Sequence, residues 1–195
     1  MPNEKVTLVM LYHIFTGKNT ASSLTFYKYV RAWEDTKSTP LDSLGADPLL
    51  KISGVAITLA GVLEDAGLKE QAYQTYKEGL FYMINRTPKQ VQNLTVDSLK
   101  DKLHTPEDKI RALSITYKLG ELANAMQKPL SEEEKWLTLS VEGLLTIIPE
   151  GPERRSVEIR KTLEELDLPA WAMLNDFAAP FQALGSFYAR TGRPE

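Results

Sequence analysis

The chain has 195 residues, 43% hydrophobic and 25% charged, with a net charge of −3, which is enough apolar surface to order one ordinary domain or a short solenoid. Charges of both signs are interspersed without a basic stripe, which argues against nucleic acid as a partner. The lack of cysteine excludes disulfides, thiolate metal sites and a Cys nucleophile.

At the N-terminus, the apolar run from Val6 to Tyr12 is far shorter than the ~20 residues of a membrane-spanning helix. It carries neither a small-residue cleavage site nor an Arg-rich leader, so this segment is expected to be soluble and to make no membrane contact of its own. Without a leader, the sequons Asn85-Arg86-Thr87 and Asn93-Leu94-Thr95 are read as incidental. Strand signals are nearly absent, and apolar residues recur three and four apart between short Pro, Gly, Asp and Ser breaks. Val6 to Phe15 is expected as a short helix, Gly17-Lys18-Asn19 as a turn, and Ala21 to Asp35 as a second helix rich in Phe26, Tyr27, Tyr29 and Trp33.

From Pro48 the apolar face Leu50, Val55, Leu59, Val62 and Leu63 predicts a helix that stops at Asp65-Ala66-Gly67, where Gly67 suits a left-handed cap. The next helix carries Leu68, Ala72, Tyr76 and Leu80 and ends before Pro88. So short a connection makes the two a helical hairpin. The linkers at 38–47, 87–105 and 149–167 leave room for short helices at Val96–Leu103 and Glu153–Leu166. Pro106, with Glu107 and Asp108 in the first turn, opens a helix through Ile110, Leu113, Tyr117, Leu119-Gly120 and Leu122 to about Gln127. Lys128-Pro129 breaks it, and Ser131 with Glu134 reads as a capping box for a helix bearing Trp136, Leu137, Val141, Leu144 and Leu145, ended by Pro149. A last helix spans about Pro169 to Thr191. Its Trp171, Phe177, Phe181, Leu184, Phe187 and Tyr188 are more apolar surface than one flank can bury, so it is expected to be mobile, or covered by another copy of the chain or by residues following Glu195.

Three of these helices share a Leu-small pair followed by an apolar or small residue three further on: Leu59-Ala60 with Leu63, Leu119-Gly120 with Ala123, and Leu184-Gly185 with Tyr188. After the first come Ala72 and Tyr76, and in the N-terminal hairpin Ser23 and Tyr27 take the small and aromatic places. The order resembles the tetratricopeptide repeat, in which a small residue lets paired helices approach and an aromatic fills the gap to the next pair. The spacing is irregular: from Ala60 to Gly120 is 60 residues and from Gly120 to Gly185 is 65, against the usual ~34. The expected architecture is therefore all-α, a tetratricopeptide-like helical-hairpin solenoid with irregular repeats over residues 1–195. The tail Leu184-Gly185 to Glu195 reads as the first half of a copy, so the domain is expected to be truncated at its C-terminal end.

The order Leu11-Tyr12…Tyr27, Asp47-Pro48…Gly54, Leu63-Glu64-Asp65-Ala66-Gly67 and Pro106-Glu107…Leu119-Gly120-Glu121-Leu122 also resembles the fungal mitochondrial tetratricopeptide adaptors of the inner-membrane i-AAA protease. A related animal group assists respiratory complex III assembly. The resemblance implies a mitochondrial, inner-membrane-associated protein that recruits substrates to the protease. The alternative is an assembly factor that makes a fixed subunit contact.

Catalytic signals are weak. His13 and His104 belong to no ligand cluster, Glu132-Glu133-Glu134 at a helix start reads as dipole chemistry, and Arg154-Arg155 lies in a mixed-charge linker. Phosphate loops and nucleophile elbows are absent. No catalytic residue, metal or cofactor is therefore expected, and an enzyme with an unrecognised composite site is the remaining rival. The aromatics Tyr27, Trp33, Tyr76, Tyr82 and Trp136 are expected in the core. Placed relative to the Leu-small pairs, Tyr12, Glu64, Asp65, Tyr117, Glu121, Asn124 and Arg190 are expected to line a peptide-binding groove for a protein partner, either a peptide segment or a protease complex.

Overall fold

A computed structural model describes residues 20–40, 43, 48–84, 94–103, 105–147 and 174–193. The expected helices at 6–15 and 153–166, the turn at 17–19, Tyr12, both histidines, Asn85, Asn93, Pro149 and Arg154-Arg155 lie outside them. Every described element is a helix: α1 Thr20–Ser38, α2 Pro48–Asp65, α3 Lys69–Met83, α4 Val96–Lys102, α5 Pro106–Ala125, α6 Leu130–Ile147 and α7 Leu174–Thr191. The chain divides into two compact units, Met1–Met83 and Ile84–Glu195.

In the first unit α2 and α3 form the expected hairpin. Gly67 takes φ +76, its N–H donates to the Glu64 carbonyl at 2.8 Å, and the Leu68 N–H reaches back to the Leu63 carbonyl at 2.9 Å. These two bonds satisfy carbonyls that the end of a helix leaves orphaned, and the buried Leu63 and Leu68 sit at the positions that pair across such a turn. The buried face of α2 is Ile52, Ser53, Ala56, Leu59, Ala60 and Leu63. The face expected from Leu50, Val55 and Val62 is rotated away from this one: Leu50 is 43% exposed and both valines are half-buried. The cause is the close approach of α3, since a Cβ added at Gly79 would lie 2.5 Å from the Ala56 Cβ. Small residues mark the contact line, and bulk falls to its sides.

The helix α1 joins this hairpin through Val30 and Trp33, both buried. The Trp33 ring stands edge-on to Tyr82 at 5.8 Å, and its Nε1–H donates to Glu78 Oε2 at 3.3 Å. One turn later Lys37 reaches the same oxygen at 3.4 Å and Glu34 at 2.9 Å. Burial alone would lower the Lys37 pKa, but the hydrogen bond to Glu34 and the charges of Glu78 and Glu34 outweigh it, and the ammonium is held above its ordinary value. The contribution is therefore complete below the ordinary lysine pKa and is lost as pH rises through the raised one. Of the aromatics expected in the core, Trp33, Tyr76 and Trp136 are buried, Tyr82 is half-buried, and Tyr27 is exposed.

In the second unit α4 occupies the span expected at Val96–Leu103, capped by Thr95, whose Oγ1 accepts from the Ser98 N–H. Thr105 caps α5 ahead of Pro106: its Oγ1 accepts from the Asp108 N–H at 3.1 Å and donates to the Asp108 carboxylate at 2.8 Å. The α5–α6 hairpin repeats the turn of the first. Gln127, the one positive-φ residue other than glycine among the described residues, has φ 54, and the Gln127 and Lys128 N–H groups reach the Asn124 and Ala123 carbonyls at 2.9 Å each. The capping box expected at Ser131 and Glu134 is not formed. Pro129 already fixes the start, its carbonyl taking the Glu132 and Glu133 N–H groups, so α6 begins at Leu130 and Ser131 lies inside it, exposed. The helices touch where a Cβ at Gly120 would lie 2.6 Å from Leu137 Cδ2, and again where one at Gly143 would meet Leu113 Cδ2. Trp136, Leu137, Val141 and Leu144 are buried as expected, but Leu145 is 43% exposed.

Helix α7 ends on Gly192 at φ +69, with the Arg193 N–H on the Tyr188 carbonyl at 3.0 Å. All three left-handed residues among the described ones lie seven positions after the small residue of a Leu-small pair: Ala60 to Gly67, Gly120 to Gln127, Gly185 to Gly192. Gly185 itself faces open space, so at this third Leu-small pair the spacing to the left-handed residue holds without a close helix approach.

Gly120→Leu is expected to overpack against Leu137 and cost about 1–3 kcal/mol, while Gly61→Ala, where nothing lies within 4 Å, gains about 0.4–1 kcal/mol. Urea unfolding midpoints measure both, and an unchanged midpoint for Gly120→Leu contradicts the close approach. Gln127→Gly removes the strain of a left-handed side chain and should stabilise by about 1 kcal/mol in the same assay.

Candidate protein-binding site

On α5, Tyr117, Glu121 and Asn124 fall four and three residues apart and so share one helix face. The Tyr117 hydroxyl donates to Glu121 Oε1 at 2.8 Å, and the Lys118 ammonium lies 3.1 Å from Glu121 Oε2. At the end of this row the Asn124 side chain meets α7: Arg190 Nη1 donates to Asn124 Oδ1 at 2.6 Å while Nη2 donates to Glu133 Oε1 at 2.6 Å. One guanidinium thus ties the last turn of α5 to the first turn of α6. A planar, fixed fork is suited to bridging two such acceptors, as a single ammonium is not.

Two further residues complete the contact. Arg193 places Nη1 and Nη2 each 3.2 Å from one oxygen of the Glu134 carboxylate. Phe187 is fully buried, and both guanidinium carbons stand 5.6 Å from its ring centre. Glu133 is 3% exposed. The triplet Glu132-Glu133-Glu134 is therefore more than dipole chemistry at a helix start, because its middle residue is buried against an arginine. Position still favours the charges: acids sit at the N-terminal end of α6 and arginines at the C-terminal end of α7, each stabilised by the local helix dipole.

The structure thus joins Tyr117 to Glu121 and Asn124 to Arg190 within the second unit. In the first unit Glu64 Oε1 accepts from the Tyr76 hydroxyl at 2.8 Å, and Asp65 is exposed on the last turn of α2. The sequence reading takes Glu133 and Glu134 as dipole and cap chemistry and Phe187 as surplus apolar surface, and does not single out Arg193. The spacing Phe187-x-x-Arg190, an aromatic and a cation on one helical stripe with a second arginine, Arg193, just past the helix end, was the available signal. Of the surplus apolar residues expected on α7, Phe187 is buried, Leu184 and Tyr188 are half-buried, and Phe181 is 41% exposed. Trp171 and the Phe177 side chain lie outside the described residues.

Among the described residues, no group of three or more His, Cys, Asp or Glu could hold a metal ion. No described helix is long and apolar enough to cross a membrane. No family model, characterised protein or solved structure matches the chain.

Arg190→Ala strands the buried Glu133 carboxylate, an effect of about 1–3 kcal/mol. Arg193→Ala breaks a more exposed pair and should cost at most about 1 kcal/mol. Thermal melts should rank the two in that order, and 1 M salt should abolish the smaller loss before the larger; equal losses contradict the burial of Glu133.

Proposed function

We propose that this protein is a binding scaffold that holds another polypeptide on the α5 face bearing Tyr117, Glu121 and Asn124. The carrying observation is that these side chains form an ordered polar row, held by Tyr117–Glu121 and Asn124–Arg190 hydrogen bonds, on a helix whose opposite face is fully packed. A row of preformed acceptors and a phenol on a rigid helix loses little entropy on binding and suits a peptide with some positive charge. In this reading the tetratricopeptide-like hairpins are the frame and the α5 face is the groove. The resemblance to the i-AAA protease adaptors extends the proposal to a mitochondrial role, with the bound polypeptide presented to the protease.

The test replaces Tyr117 in the full chain with a photoreactive phenylalanine and irradiates it in a fungal mitochondrial extract. Crosslinks to other polypeptides are expected at position 117 and not at the control position Gln74, an exposed residue of α3. Identical crosslink patterns at the two positions would remove the α5 face from the proposal.

A further inference from the structure

The turns that close α2, α5 and α7 share a left-handed backbone but not one residue. Gly67 and Gly192 adopt it without steric penalty, whereas Gln127 holds a full side chain at φ 54. Glycine closes the same kind of turn twice in this chain, so the geometry does not require a glutamine. The Gln127 side chain gives the fold nothing in return. It is exposed, and its carboxamide makes no hydrogen bond with any described residue. The two bonds that form the turn come from backbone N–H groups, Gln127 on Asn124 and Lys128 on Ala123, and glycine at position 127 would make its bond equally well. Strained side chains without a structural duty concentrate at functional positions.

The place of Gln127 says which function. Its N–H lies 2.9 Å from the Asn124 carbonyl, which sets the residue at the end of α5 where the row Tyr117, Glu121 and Asn124 terminates. In that row the Tyr117 hydroxyl is committed to Glu121, and the Asn124 oxygen to Arg190. The Gln127 carboxamide adds a free donor and a free acceptor side by side. Their complement is a peptide group whose own N–H and C=O are unused. Such a group belongs to an extended segment, because a helix satisfies both within itself.

We infer that Gln127 is a partner-binding residue, its carboxamide pairing with one backbone peptide group of an extended polypeptide on the α5 face. The inference rests on the scaffold reading of that face, and adds the conformation of the bound partner and the group that reads it. The left-handed strain is then the consequence of placing an amide where the turn otherwise carries glycine.

The probe is an immobilised set of lysine-containing peptides of about 12 residues. Those retained by the full chain are labelled with fluorescein and titrated by anisotropy. Two variants separate strain from recognition: Gln127→Gly removes both the strain and the amide, and Gln127→Met removes the amide alone. Both are expected to weaken binding by about fivefold, the worth of one hydrogen bond, while only Gln127→Gly raises the melting temperature. Methylating the peptide nitrogens one at a time should find a position that weakens binding to the parent chain and leaves binding to Gln127→Met unchanged. Unaltered affinity in Gln127→Met overturns the inference, as do methylation losses equal in the two chains or a peptide that turns helical on binding by circular dichroism. Any of these with the Tyr117 crosslinks intact removes Gln127 and keeps the α5 face. If no peptide is retained the inference falls, and the crosslinks at position 117 decide whether the scaffold reading falls with it.

Discussion

A residue in the left-handed conformation closes α2, α5 and α7, and the geometry of both hairpins is set from it. Once the chain reverses at Gly67 or Gln127, the following helix must run back along the preceding one, and the separation of the two is decided by what lies between them. Small residues there allow near contact: Ala56 against Gly79 in one hairpin, Gly120 against Leu137 and Gly143 against Leu113 in the other. Close approach in turn leaves room for large side chains only at the margins, which is where Tyr76 and Trp136 are buried. These two aromatics stand nine residues beyond Gly67 and Gln127, so the turn, the contact line and the aromatic keep one register in both hairpins.

Much of this order is legible in the sequence because it is local. A glycine after an apolar stripe, a proline followed by acids, and a Leu-small pair each report on their own few residues, and α2, α3, α5 and α6 follow from them. What stayed hidden depended on distance or on unremarkable residues. Alanine and glycine carry little hydrophobic weight, so the face of α2 read from Leu50 and Val55 was rotated from the true one centred on Ala56 and Ala60. Glutamine gives no sign of a left-handed conformation, and Ser131 resembles a cap only until Pro129 is seen to occupy that place.

The candidate site was half legible for the same reason. Helical spacing brings Tyr117, Glu121 and Asn124 to one face without any tertiary knowledge. The partner of Arg190 lies 57 residues away in the chain, and no local pattern distinguishes Glu133, which is buried, from Glu132 and Glu134 beside it. A buried carboxylate satisfied by one guanidinium contributes little net stability, since desolvation offsets most of the attraction. Its effect is on specificity, because a neutral or uncharged side chain in place of Arg190 would leave the carboxylate unsatisfied.

The meeting of α6 and α7 end to end has an electrostatic consequence at longer range. With α7 seated, two carboxylates and two guanidiniums cancel, and the opposed helix ends cancel as well, so little potential extends into solvent. Were α7 to leave, Glu133 and Glu134 would lose their arginine partners and the first turn of α6 would carry unneutralised negative charge. Attraction for a cationic helix then reaches roughly one Debye length, about 8 Å at physiological ionic strength. With α7 in place, a surface whose charges are paired in this way exerts little pull on passing cationic chains.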